Sequence, residues 1–201
     1  METQRTYCAF VGVRRVAGGA LDETVAGLKS HLDAGGAEVL LFEDQTGRQL
    51  ELDLSGSLDE ALERARQELA PNEAAAMRSS GPGRPKLGVT SREVSLLPRH
   101  WEWLERQASG GASAGLRRLV EAAMKSGGEQ AKRAREATSK FMWAMTGNLP
   151  NFEEATRALF AKDQARLEQL IEGWPRDLHA HVLTLSREAA RLEGQANQAV
   201  C

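Results

Sequence analysis

The segment PNEAAAMRSSGPGRP at residues 71–85 does most to limit how this chain can fold. It is rich in Pro, Gly, Ser and Ala, the composition of a flexible connector. The elements on its two sides therefore form separate groups, and a domain boundary belongs there. A chain of 201 residues has room for one sizeable domain or two small ones.

Charge sharpens the division. Residues 1–76 carry 7 Lys/Arg against 14 Asp/Glu, residues 77–140 carry 13 against 6, and residues 141–201 carry 6 against 8. The overall net of −2 thus hides a basic middle between acidic flanks. Such a middle attracts a polyanion or docks on the chain's own acidic part. An apolar fraction of 41% with 27% charged residues excludes a wholly disordered chain. No apolar run approaches 18 residues, and METQRTYCAFVGVRR lacks the apolar stretch of a signal peptide. No membrane partner and a cytoplasmic location are expected. Cys8 and Cys201, near opposite ends, make no disulfide framework.

Ahead of the linker, residues 7–13 read as a strand that Arg14 to Val16 continue after a turn. Leu21, Val25, Leu28 and Leu32 recur at helical spacing up to Gly35 and Gly36. Residues 39–42, the turn 44–47 and the alternating Leu50, Leu52 and Leu54 predict a hairpin. Ser57 and Glu60 form a capping-box pattern that opens a helix to about Ala70. Beyond residue 126 the pattern is helical: residues 129–146, then a helix from the N-cap Asn151 to about Lys162. One carrying Leu167, Leu170, Ile171 and Trp174 follows, and one begins at Pro175. The fold class expected is α+β. Residues 1–70 form a small sheet domain, 71–89 a linker and basic arm, 90–126 a strand-helix-helix module, 127–192 a helical bundle and 193–201 a frayed tail.

The chemistry concentrates in the middle. Gly81-Pro82-Gly83-Arg84-Pro85 resembles the core of an AT-hook, whose slim extended backbone lies in the minor groove. Arg84 would enter that groove and Lys86 would meet a phosphate. Residues 92–97 predict a short strand stopped by Pro98, which opens a helix with Trp101, Trp103 and Leu104 on its apolar side. A Gly-containing turn follows. Ser113 then caps a second helix with Leu116, Leu119, Val120 and Ala123 as its inner face.

This order resembles the ribbon-helix-helix fold of the MetJ/Arc type over about residues 90–125. The resemblance implies a homodimer, because an isolated strand leaves both edges unpaired until it meets its copy. The two-stranded ribbon would then enter the major groove of double-stranded DNA. Val94 and Leu96 would face the helices, and Glu93 and Ser95 would read bases, Glu93 only by accepting from a cytosine amino group. Arg92 would reach phosphate. Backbone amides around Ser113 would clamp another phosphate, with Arg117 and Arg118 beside them. At a coarser level the whole chain resembles a bacterial family known as domain of unknown function 2239. GRPKLG, REVSLLPRHWEWL, GGASAGLRRLVEAA and LPNFEEATRALFA carry that likeness. It implies no activity.

Other constellations carry less. His179 and His181 stand two apart on a helix and diverge, which predicts a surface or partly buried pair and not a shared metal. Glu43 and Asp44 lead a turn. Residues 110–115 lack the Lys of a phosphate-binding loop. Trp101, Trp103, Trp143 and Trp174 are expected in one core cluster, and Lys132, Arg133 and Arg135 on a solvated face or phosphate stripe. The reading is a dimeric DNA-binding regulator, neither an enzyme nor a metal or cofactor protein, with a protein-interaction module as the alternative.

Overall fold

In the computed structural model, residues 5–36, 38–69, 92–107, 111–124 and 126–198 are described. The chain divides into two compact units, Met1–Ala65 with Ser126–Cys201 and Arg66–Lys125.

The first unit is built on a four-stranded antiparallel sheet of order β2-β1-β3-β4. β1 (Tyr7–Val11) and β2 (Arg14–Gly19) form a hairpin, so Arg14 onward returns alongside β1 and does not continue it. Gly12 supplies the positive φ, 56°, that the two-residue turn needs at its first position. β3 (Leu40–Glu43) runs along the other edge of β1, and β4 (Arg48–Leu50) closes the sheet. Leu52 and Leu54, expected in that last strand, lie beyond it and pack beside α1 and α2. α1 (Leu21–Asp33) ends in a Schellman turn, with Gly35 at φ 76° and Gly36 N–H donating to His31 O at 3.0 Å. The capping box of α2 (Leu58–Glu68) forms reciprocally: Ser57 N–H donates to Glu60 Oε2 at 2.8 Å and Glu60 N–H to Ser57 Oγ at 3.3 Å.

Strand alternation splits the buried residues between two layers. Ala9 and Ala17 lie opposite each other, and Ala17 meets Gly27 of α1 so closely that any larger residue at 27 would collide. Cys8, Phe10 and the cross-strand residues Leu40 and Phe42 point the other way. There they meet Phe141 and Met142 of α5 (Gly127–Thr146) and Leu178, Val182 and Leu185 of α8 (Arg176–Gln198). α6 (Phe152–Phe160) and α7 (Gln164–Ile171) complete that core through Leu159, Leu167 and Ile171. The sheet and the helical bundle, expected as separate domains, therefore share one apolar core. Neither could close alone, because the sheet's aromatic face and the stripe of α8 are each other's cover.

Local expectations are corrected too. Asn151 is the N-cap residue of α6, as expected, but at φ 62° its side chain makes no capping hydrogen bond, and its Nδ2 donates to Leu170 O at 3.3 Å. Asp163 and Ser126 do cap, accepting from Arg166 N–H at 2.9 Å and Glu129 N–H at 3.3 Å. α8 runs on to Gln198 in place of a frayed tail after 193, and Glu193 pairs with Arg135 and Lys162. The four Trp do not cluster. Trp174 is buried with Nε1 donating to Pro150 O at 2.8 Å, Trp143 lies edge-on to Phe152 at the surface, and Trp101 and Trp103 are exposed.

In the second unit, α3 (Pro98–Gln107) and α4 (Gly111–Met124) pack on each other. Ser113 is the third residue of α4, inside the helix and not its cap. Residues 92–97 lie in no strand among the described residues. The linker and arm fall outside the described residues.

Candidate functional site

The helix pair of the second unit is an incomplete fold. Among its described residues, Leu104 and Gly115 are the ones fully buried. Val94 is 55% exposed, Leu97 52%, Leu119 44%, Val120 54% and Met124 47%; of the inner face that the spacing of α4 predicts, Leu116 is half-buried while Leu119, Val120 and Ala123 are exposed. Helices this short owe their stability to a buried face, and here most of that face is uncovered. Arg92, Glu93, Ser95, Ser113, Arg117 and Arg118 are all exposed, and no ion pair among the described residues engages Arg92, Arg117 or Arg118. The candidate site residues of this segment are thus all open to solvent, whereas Arg84 and Lys86 lie outside the described residues. The basic run on α5 is committed elsewhere: Lys132 to Glu136, Arg133 to Glu129 and Arg135 to Glu193.

A second constellation escaped sequence reading. Cys8, the second residue of β1, Asp44 directly after β3 and His181 in the second turn of α8 converge inside the first unit. His181 Nε2 lies 3.1 Å from Cys8 Sγ and 3.3 Å from Asp44 Oδ1. Cys8 is wholly buried and His181 is 3% exposed, so His181 is a core residue and not half of a surface pair. Its ring is held edge-on by Phe141 and Phe10, at centroid distances of 4.6 and 5.7 Å. Asp44 is fixed by its own N–H donating to Thr6 O at 3.0 Å, yet Oδ1 is buried without a hydrogen bond.

Electrostatics sets what the trio can do. Burial, with the Asp44 carboxylate beside it, pushes the Cys8 thiol far up, so it stays protonated and is no nucleophile. Burial alone would raise the Asp44 carboxyl, but the contact with His181, helped by Thr6 and Cys8, holds it below the ordinary carboxylate range. Cysteine and carboxylate both face Nε2 and neither is placed at Nδ1, so the imidazole does not bridge them through its two nitrogens as in a nucleophilic triad.

Among the described residues no helix is long and apolar enough to cross a membrane. Comparison with curated proteins and with solved structures finds no match. Residues 6–186 match the sequence model of a family described as "Uncharacterized protein conserved in bacteria (DUF2239)".

Proposed function

The chain belongs to the bacterial DUF2239 family, and from its bare central module we propose a dimeric, cytoplasmic DNA-binding protein, a regulator in kind. The observation that carries the reading is the segment 92–97, which lies in no strand and is exposed except at Leu96, followed by helices on which Trp103, Leu119, Val120 and Met124 are uncovered. Pairing two copies of 92–97 antiparallel would give each backbone a ladder partner and bring two sets of Val94, Leu96, Leu119 and Val120 together. Arg92, Arg117 and Arg118 would lie free to meet phosphates, with Ser95 and Glu93 at the base edges and Arg84 and Lys86 in the preceding arm.

Duplex binding measured by fluorescence anisotropy across salt concentrations tests this. Affinity should fall linearly in log–log form, and each of Arg117→Ala and Arg118→Ala should lower the slope by about one. Absence of binding at low salt overturns the reading. The same exposed apolar side chains, with the acidic Glu93 among them, also suit a protein-interaction module. Self-association without any affinity for DNA would favour that second reading.

A further inference from the structure

We propose that Cys8, Asp44 and His181 form a mononuclear binding site for a tetrahedral divalent cation of the zinc class. The inference stands apart from the DNA-binding reading, since it concerns the core of the first unit alone. One thiol from β1, one carboxylate just after β3 and one imidazole from α8 bring their donor atoms within 4.8 Å of one another. That donor set suits zinc, and the sulfur and nitrogen ligands disfavour calcium and magnesium.

The spacing fits as well. An ion with bonds of about 2.0–2.3 Å holds tetrahedral donors roughly 3.3–3.6 Å apart. The His181–Asp44 separation of 3.3 Å already matches, and the His181–Cys8 separation of 3.1 Å needs to widen by only a few tenths. Rigid surroundings pre-arrange the donors. Cys8 is paired on both sides, to Gly18 of β2 and Phe42 of β3, and the Phe10 and Phe141 rings fix the imidazole plane.

Charge supplies the reason for a cation. The buried Asp44 Oδ1 makes no well-formed hydrogen bond, and the His181 Nε2 that lies 3.3 Å away is shared with the Cys8 sulfur, which leaves the carboxylate poorly satisfied in an apolar core. A cation at the centroid of the three atoms would satisfy Asp44 Oδ1, engage His181 Nε2 and hold Cys8 as thiolate. Binding breaks the S–H bond and forms a sulfur–metal bond, and the proton leaves to water. Asp44, whose side chain is 14% exposed, marks the side from which the ion and a water as fourth ligand reach the site.

Cobalt(II) titration of the chelator-stripped full chain, followed by zinc, provides the test. One cobalt per chain should bind with a thiolate-to-metal charge-transfer band and intense visible bands of tetrahedral geometry, and zinc should displace it and raise the melting temperature. Cys8→Ala should abolish the charge-transfer band. Asp44→Asn, which keeps the side chain's shape, should retain the band but weaken binding by more than the about ten-fold of lost outer-shell contacts. A folded wild-type chain that shows no thiolate band in excess cobalt overturns the site. So does a zinc-induced rise in melting temperature that is the same in Cys8→Ala.

Discussion

Gly47 has φ 64°, and a Cβ there would collide with the Ala137 carbonyl of α5. Both strain and clash oppose substitution, so Gly47→Ala should destabilise by at least about 1 kcal/mol in denaturant unfolding. Phe141 touches Phe10, Phe42 and His181 at once. Phe141→Ala should cost about 3–5 kcal/mol by the same assay. The buried trio makes its own signature in metal-free protein. The folded carboxyl of Asp44 lies below its ordinary value of 3.8, so its stabilising effect is present above that pH and is lost as pH falls through the folded value. The folded thiol of Cys8 lies above its ordinary value of 9.0, so its contribution is full below pH 9 and is lost as pH rises past it. Asp44→Asn should flatten the acid limb of melting temperature against pH, and Cys8→Ala the alkaline limb. The sequence shows neither effect, because Cys8 and His181 are 173 positions apart and each looks ordinary among its neighbours.

At the scale of elements, periodicity and turn chemistry were readable where they are local. Leu21 to Leu32 with Gly35 specify α1, and Ser57 with Glu60 opens α2. Ser57→Ala should cost about 1 kcal/mol, seen as a lower melting temperature. Reading failed where tertiary contacts decide. Asn151 holds the N-cap position but turns its amide to the Leu170 carbonyl, and Ser113 falls inside α4, which already begins at Gly111. The inner face of α4 was legible as a pattern, but the single chain leaves Leu119, Val120 and Ala123 of it exposed. If that face joins a second copy, Val120→Glu should convert a dimer to a monomer in light scattering while leaving the melting of the first unit unchanged.

For the whole molecule, the α+β class followed from the order of strands and helices, and the shared core did not. Alternation shows that Cys8, Phe10 and Phe42 bury a face, and helical spacing shows the same of Leu178, Val182 and Leu185. Nothing in either pattern says that one covers the other, since both read equally well as faces of separate domains. The linker at 71–85 pointed to a boundary, whereas the chain returns past it to finish what the first 65 residues begin. A chain with residues 70–125 replaced by a Gly/Ser linker should keep a cooperative thermal transition, because both ends of the removed segment rejoin a unit with its own core.

That return has a consequence for synthesis. Phe10 and Phe42 emerge from the ribosome early, and Val182 follows some 140 residues later, on the order of ten seconds at ordinary elongation rates. Throughout that interval the sheet's aromatic face has no partner and is a ready target for chaperones and proteases. A nascent chain stalled at residue 170 should therefore be degraded quickly in pulse-chase labelling, and one released after residue 198 should persist.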